Sequence, residues 1–549
     1  MLHEISGPII APMDLVSGGR RAFLKGGLAA LAATALPFPL NAAVPPDVFV
    51  MALEIDDVIS LDPAELFEFT GAEIAGNIYD RLLYFDSDQL DRITGGVARS
   101  WEVSDDGLTF RFRLRPGISF QSGNPLTAKD VAYSLRRTIT LGKTPSFILA
   151  QFGFSPDNVG QQIVAEDSGT FVIRTPRVFA PSFLFACLTC ACASIVDSKL
   201  VEAHQQNRDA DDRWLRTHSA GSGPFALRVW KPNEIVILDR FKNCWRGKPA
   251  METVFLRHIA EPGVQRLLIE RGDIDVARNL GPDQAAGMAG NPDLRPYTVR
   301  KDGLYYMGLN QKNEFLRRAE VRKVFRYLVD YEGIAKTILR GQAEIHQTII
   351  PAGYLGALDD RPYSWNLDEA RRLLAAAGLD NGFSVTVDVR NTQPDLDIAQ
   401  SVQANFAQAG IALRLIPSDG EQVLTKYRAR HHDIYFGRWG SDYRDPHSNA
   451  QAFASNPDNS DAARLKTLAW RNGWEIPELS AQTDRAVGER DPEKRAMLYR
   501  AIQRRVLDDS PFVVLFQEVD LAVERSDLHG FVMGQGFDTV FYRGVTKSS

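Results

Sequence analysis

Four cysteines supply the residue type that could bind a soft metal ion. Three lie close together as Cys187, Cys190 and Cys192, and Cys244 follows farther along the chain. Their inner spacing, C-x-x-C-x-C, differs from the paired C-x-x-C motifs of structural zinc sites. We therefore expect buried small residues, or one disulfide with Cys244, rather than a four-thiolate site. So few cysteines among 549 residues also exclude a scaffold built from disulfides.

Other short motifs lack the context that their chemistry needs. His431, His432 and Asp433 are metal-ligand residue types, but neighbouring residues of a strand point to opposite faces. The run Gly142-Lys143-Thr144 ends like a phosphate loop, yet Arg137 stands where that motif needs its first glycine, and a helix precedes it. The chain contains neither G-x-S-x-G nor H-E-x-x-H. We therefore predict that the protein is not an enzyme and uses no cofactor.

Composition sets the size and excludes one class of partner. With 549 residues, 44% of them hydrophobic and 24% charged, the chain can bury a large core and should divide into at least two domains. The formal net charge of −6 lacks the excess of basic residues that nucleic-acid-binding proteins typically have, so we expect no nucleic-acid partner.

The first residues have the features of an export signal. The sequence RRAFLK at residues 20–25 precedes the weakly apolar run GGLAALAATALPF, a pattern typical of twin-arginine signal peptides, with Gly19 where Ser or Thr is usual. We expect cleavage near Ala43, because the apolar run is too short for a permanent anchor. No cysteine precedes Cys187, so we do not expect a lipoprotein. The mature protein is predicted to be periplasmic.

A second apolar stretch has the length of a membrane span. Residues 178–196 carry no charge, but Pro181, Ser182, Thr189 and Ser194 interrupt them. A segment buried in the core is therefore favoured over a membrane span.

Residues 101–137 predict two strands, a turn and the start of a helix. Phe110, Phe112 and Leu114 alternate with arginines, as in a strand with one buried face. Thr127 is placed to cap a helix with Asp130 three residues later. The stripe on that helix consists of Val131, Leu135 and Ile139.

The same residues resemble a long family signature. The run W-E-x-S-x-D-G-L-T-x-x-F-x-L-R-P-G-x-x-F, continued by P-L-T-A-x-D-V-x-Y-S-L, is similar to that of the extracellular solute-binding protein family 5, from bacterial dipeptide, oligopeptide and nickel ABC importers. This resemblance implies an α/β, two-lobed periplasmic-binding-protein fold of type II (the enlarged cluster C), with an extra subdomain in the first lobe. Such proteins close around a ligand by hinge bending.

The resemblance also implies domain boundaries. Residues 1–43 would be the signal peptide, and residues 44–304 would form lobe I, with the extra subdomain at about 86–218. Lobe II would span residues 305–510, and residues 511–549 would return to lobe I.

Lobe II is predicted to contain a βαβ unit. Residues 385–389 alternate as Val-Thr-Val-Asp-Val, Ala399, Val402 and Phe406 form a helix face, and Leu413 begins the next strand. The two strands should therefore run parallel.

The predicted ligand site follows the next strand along the chain. Residues 433–438 run into a loop at 439–446, and ligands of open α/β sheets bind beyond the carboxyl ends of strands. The loop resembles the W-x-x-D-Y-x-[DE]-P motif of oligopeptide-binding members, in which the Asp pairs with the α-ammonium of a peptide. This resemblance assigns that role to Asp442, with Trp439 and Tyr443 beside it. The alternative is structural: Asp442 would cap a turn and Trp439 would fill the core.

Further ligand contacts are predicted on both walls of the cleft. Arg390 follows the βαβ unit's first strand, where some dipeptide binders have a similar arginine for the ligand carboxylate. An exposed surface arginine is the alternative. Thr70, Gly71, Ala72 and Glu73 are predicted to line the opposite wall.

The resemblance implies a function in import. We expect a monomeric binding protein that captures short peptides between its lobes and docks on a two-subunit ABC permease driven by separate ATPases. A metal chelate, haem, an opine or a modified sugar is the alternative cargo. Two other classes stay open: a secreted metal-dependent hydrolase that uses the cysteine and histidine clusters, and a ligand sensor for a membrane receptor.

Overall fold

The structure is a computed structural model that describes residues 44–86, 92–206, 213–536 and 539–548. The predicted signal peptide at residues 1–43 lies outside these ranges. The first elements are β1 (Val48–Leu53), α1 (Phe69–Ile78) and β2 (Leu83–Phe85).

The following residues build a four-stranded antiparallel sheet with helices packed on it. Strand β3 (Ile93–Gly95) comes first and pairs with β2 in a separate two-stranded sheet. The elements that follow are β4 (Ala98–Val103), β5 (Thr109–Leu114), α2 (Ala128–Leu141), α3 (Phe147–Ala150), α4 (Val159–Gln162), β6 (Ile163–Ala165), β7 (Thr170–Arg174), α5 (Pro181–Cys187) and α6 (Ser198–Gln206). The strand order is β4-β5-β7-β6. Phe110 and Phe112 are fully buried, which confirms the alternation predicted for β5.

The predicted start of α2 is confirmed in detail. The Asp130 carboxylate accepts hydrogen bonds from the Thr127 backbone N–H and hydroxyl, both at 2.8 Å. These bonds satisfy groups that a helix start leaves without intrahelical partners. Val131, Leu135 and Ile139 are buried in the subdomain core.

Most of the residues at 178–196 are buried, as predicted. They form the short helix α5 and a 3₁₀ turn, and Phe183, Leu184 and Leu188 join the core beneath the four-stranded sheet. Among the helices in the described ranges, none has the length and hydropathy needed to cross a membrane.

The chain then returns to the large sheet. The elements that follow are β8 (Phe225–Lys231), β9 (Ile235–Arg240), β10 (Thr253–His258), α7 (Pro262–Arg271), β11 (Val276–Ala277), α8 (Pro282–Gly287) and β12 (Leu294–Leu309). Strand β1 pairs in parallel with both β10 and β11, so it lies inside the sheet.

The second lobe is α/β, and its predicted βαβ unit is confirmed. Its elements are α9 (Ala319–Tyr327), α10 (Tyr331–Ile334), β13 (Ala343–Ile345), α11 (Leu367–Ala376), β14 (Phe383–Arg390), α12 (Asp395–Gln408), β15 (Ile411–Ser418), α13 (Gly420–Arg428), β16 (Ile434–Trp439), α14 (Pro446–Ala454), α15 (Leu468–Arg471), α16 (Pro477–Gly488) and α17 (Pro492–Asp508). Strands β14 and β15 pair in parallel, with Val385 opposite Leu413.

The two lobes share one sheet. The last elements are β17 (Phe512–Arg525), β18 (Leu528–His529), β19 (Val532–Met533), β20 (Val540–Phe541) and β21 (Thr546–Lys547). The large sheet has the order β15-β14-β16-β12-β17-β11-β1-β10-β9-β8, with β13 paired to β17. Strands β12 and β17 pair in an antiparallel way on both sides of a register shift, which lies between Arg300 and Leu304. These two long strands therefore connect the lobes at the point where the pairing is irregular.

Candidate ligand-binding cleft

A cavity of about 360 Å³ lies between the two lobes. One wall is the end of β16 and the loop after it, at residues 438–444. The other includes residues 66–69 at the start of α1 and residues 189–192 after α5. Asp302, which lies at the register shift of β12, also lines it. The cavity thus touches both lobes and one of the strands that join them.

Asp442 is half-buried on the wall of this cavity. Its backbone N–H donates to the Ser448 hydroxyl at 2.9 Å, and the Ser441 hydroxyl donates to Asn449 at 2.7 Å, so the start of α14 holds the loop. Burial, followed by the charge of Asp302, raises the pKa of Asp442 to about 7, although Arg471 acts in the opposite direction. A carboxylate held in this way gains from a cationic partner.

Trp439 and Tyr443 also line the cavity, but they differ in how they are held. Trp439 ends β16 and packs edge-on against Phe453, with 6.3 Å between ring centroids. Tyr443 is only 4% exposed, and its hydroxyl donates to Gln151 of the first lobe at 3.2 Å. Its ring belongs to the core of the extra subdomain. Tyr443 therefore ties the loop of one lobe to the other.

Several wall residues were missed by the sequence analysis. They include three aromatic residues from two segments and four charged residues: Phe67, Phe69, Phe85, Glu68, Asp302, Arg438 and Arg444. Arg438 directly precedes the predicted loop, and Arg444 occupies an unspecified position of its motif. This closeness to the loop was the one available signal.

The two arginines of the wall have partners of their own. Arg438 pairs with Glu518 at 2.9 Å and with Asp395 at 3.6 Å. Burial disfavours its charged form, but Glu518, then Tyr305 and Asp395, outweigh that effect and raise the pKa of Arg438. Arg444 lies over the rings of Phe85 and Tyr354, at 5.4 and 5.2 Å.

Four residues that were predicted to bind the ligand are not among the described residues that line this cavity. Thr70 bonds through its backbone N–H to Asp57 at 3.2 Å, and Gly71 is buried in α1. Glu73 accepts from Arg278 at 3.2 Å and from the Tyr542 hydroxyl. Arg390 ends β14 next to Gly420. Of the segment at 70–73, only Ala72 lines the cavity, and a binding role for the four others stays a prediction.

All four cysteines are buried and free. Of the two predicted alternatives, the structure therefore has buried small residues and not a disulfide with Cys244. Cys190 and Cys192 line the cavity, whereas burial raises the pKa of the Cys187 thiol. Across the described ranges, no three His, Cys, Asp or Glu side chains are grouped closely enough to hold a metal ion. His432, for example, is buried and bonds to Asn472 at 3.1 Å.

Two lobes joined by two strands, with a charged and aromatic cavity between them, define a hinged solute-binding protein. Residues 92–461 match the model of the bacterial extracellular solute-binding proteins, family 5 Middle, and the chain belongs to that family. The predicted family is thereby confirmed.

Curated relatives and solved structures resemble the chain over most of its length. It is 28% identical to the probable D,D-dipeptide-binding periplasmic protein DdpA of Escherichia coli, covering 94% of this chain and 96% of that one. It is 27% identical to the peptide transport periplasmic protein SapA of Salmonella typhimurium, covering 86% and 87%. The structure of DppA from Helicobacter pylori in complex with the peptide STSA matches with a TM-score of 0.77, at 24% identity and coverage of 91% and 98%. The predicted two-lobed α/β fold is confirmed by this likeness.

Proposed function

We propose that the protein is the periplasmic binding component of an ABC importer and that it captures short peptides between its lobes. The observation that carries this proposal is the position of Asp442, half-buried on the wall of the cavity between the lobes. The names of the relatives DdpA and SapA, which both refer to peptides, support the same class of cargo.

The chemistry of the cavity suits a peptide with a free amino terminus. An ammonium about 4 Å from the Asp442 carboxylate contributes roughly 4 kcal/mol at an effective dielectric constant of 20. That attraction offsets the cost of removing the carboxylate from water. The proposal therefore gives Asp442 the α-ammonium of the ligand.

The aromatic walls suit the ligand's side chains. Phe67, Phe69, Phe85 and Trp439 surround the cavity, and such rings offer large apolar contact areas with little loss of conformational freedom. The volume of about 360 Å³ falls within the range of small-molecule sites. A dipeptide with an apolar side chain is the probe that fits these features.

The remaining parts of the proposal concern the protein's location and partners. The protein is exported through its twin-arginine signal, is not a lipoprotein, acts as a monomer and delivers its ligand to a membrane permease without performing catalysis. Metal analysis of the purified protein distinguishes a binding protein from a metal-dependent hydrolase, because stoichiometric zinc would favour the hydrolase.

Two experiments test the function. Mass spectrometry of the small molecules that co-purify with the native protein should identify short peptides. Calorimetry should then show that Asp442→Asn weakens binding of alanyl-phenylalanine much more than that of N-acetyl-alanyl-phenylalanine. Asp380→Asn, at an exposed position, is the matched control. An equal loss of affinity for both peptides would show that Asp442 does not bind the α-ammonium. Co-purification of a non-peptide solute would show that peptides are not the cargo.

A further inference from the structure

Residues 177–183 of the extra subdomain pack directly against helices of the second lobe. The backbone N–H of Ala180 donates to the carbonyl oxygen of Val487, near the end of α16, at 2.8 Å. Both residues are buried, and Val487 packs in the hydrophobic core of the extra subdomain. Phe183 contacts His447 of α14 edge-on, with 5.1 Å between the ring centroids. This contact between the lobes therefore has a buried centre.

Polar contacts surround that centre. Arg177 Nη2 lies 3.0 Å from a carboxylate oxygen of Asp484, on α16. Arg490 Nη1 donates to the backbone carbonyl of Asp105 at 2.8 Å. These four residues are exposed, so their side chains can be changed without disturbing a core. We refer to these contacts, together with the bonds from Ala180 to Val487 and from Arg495 to Ser182, as the clasp.

The clasp has the properties needed to hold the lobes together without a ligand. Opening it would expose Phe183 and Val487 to water, and burial of apolar surface is what favours such contacts. Domains move against each other by default, but a hydrophobic contact between them restricts that motion. A cavity of about 70 Å³ lies beside the clasp, with Phe179 and Thr483 among its lining residues, and it has room for water. The clasp is therefore tight at its centre but not sealed, as expected of a contact that can open.

We propose that the clasp keeps the lobes closed in the ligand-free protein and that its opening sets the rate at which ligand enters and leaves. The clasp residues are not among the described residues that line the ligand cavity, so they act on closure and not on the ligand. The clasp stabilises the closed form equally with and without ligand. Loosening it should therefore raise the association and dissociation rates by the same factor and leave the affinity unchanged. The inference goes beyond the proposed function, because it holds for any ligand of this cavity.

Stopped-flow fluorescence with alanyl-phenylalanine measures both rates. The clasp variant carries Ser182→Ala, Asp484→Ala and Arg490→Ala, which remove one partner from each polar contact at exposed positions. Both rate constants should rise about tenfold, because one hydrogen bond and two weak surface contacts are lost, while the dissociation constant stays within about twofold. Arg111→Ala, which breaks a surface ion pair with Glu166 inside the extra subdomain, is the control and should change neither rate. A clasp variant whose affinity falls, or whose rates match those of the wild type, would overturn the proposal.

Hydrogen exchange tests the clasp without any ligand. The Ala180 N–H is bonded across the clasp, so it exchanges only when the clasp opens or the protein unfolds. In ligand-free protein, mass spectrometry should find slow exchange in the wild-type peptide that contains Ala180 and about tenfold faster exchange there in the clasp variant, with equal rates for β5 in both. Fast exchange at Ala180 in the wild type, or the same rate in both proteins, would contradict a closed ligand-free state. If this test succeeds while no peptide binds, the clasp stands and the peptide cargo falls.

Discussion

Asp445 and Arg495 form a buried, two-pronged ion pair directly behind the ligand loop. Arg495 Nη1 and Nη2 each lie 2.7 Å from a different oxygen of Asp445, and the two side chains are 1% and 4% exposed. Arg495 also donates to the Ser182 hydroxyl of the first lobe at 3.1 Å. Asp445 in turn caps α14 by accepting from the His447 backbone N–H at 2.9 Å. One ion pair thus holds the loop, two helices and the opposite lobe.

Removing one partner of this pair should destabilise the whole protein. Arg495→Ala leaves a buried carboxylate without its cation, which typically costs about 3–5 kcal/mol. Urea unfolding followed by circular dichroism measures the change. Arg372→Ala, which breaks the exposed pair with Glu369, is the control and should leave the midpoint unchanged. An equally small effect of Arg495→Ala would contradict the structural role of the pair.

The ion pair joins residues that are far apart in the sequence, and contacts of this kind could not be predicted from the sequence alone. Local signals were sufficient for β5, for the start of α2 and for the βαβ unit, because alternation and capping depend on neighbouring residues. The loop at residues 439–446 was recognised from its resemblance to a motif. The cavity wall at Phe67 and Asp302 was not, because only the folded chain brings these positions to Asp442. Glu73 was assigned to the wall, but its carboxylate pairs with Arg278, far away in sequence.

Tyr443 provides a test of whether a predicted ligand residue is instead part of the framework. Tyr443→Phe removes only the hydroxyl that bonds to Gln151, so stability should fall by about 1 kcal/mol. Affinity for alanyl-phenylalanine should stay within threefold of wild type, as measured by calorimetry. Tyr443→Ala, which also removes the buried ring, should cost about 3–5 kcal/mol.

The opposite result for Tyr443→Phe would also be informative. If stability were unchanged while affinity fell more than tenfold, the hydroxyl would contact the ligand, as the sequence motif suggested.

Acid should weaken the fold through its buried histidines. Burial lowers the pKa of His346, His432 and His447 to about 4, whereas an unfolded histidine titrates near 6.5. The unfolded state therefore binds more protons, and stability present above pH 6.5 is lost as the pH falls towards 4. The loss between pH 7.5 and 5 is of the order of 1–2 kcal/mol for each histidine.

Adjacent residues supply the matched variants for this effect. His432 is buried and His431 is exposed. In urea unfolding at pH 7.5, 6 and 5, His432→Gln should flatten the dependence of stability on pH, and His431→Gln should not. The same slope in both variants would show that His432 does not carry the effect.

Trp439 should report ligand binding directly. Its ring lines the cavity next to Asp442, and its Nε1 is buried with no hydrogen-bond partner among the described residues. A peptide that enters the cavity changes the surroundings of this indole, so alanyl-phenylalanine should shift the tryptophan emission. Trp439→Phe should remove most of that shift and weaken binding two- to tenfold, because a smaller ring gives up about 0.5–1.5 kcal/mol of aromatic contact. Trp365→Phe, at an exposed position, should keep both signal and affinity. If Trp439→Phe retained the full emission change, the ligand would have to bind away from the wall that Trp439 and Asp442 share.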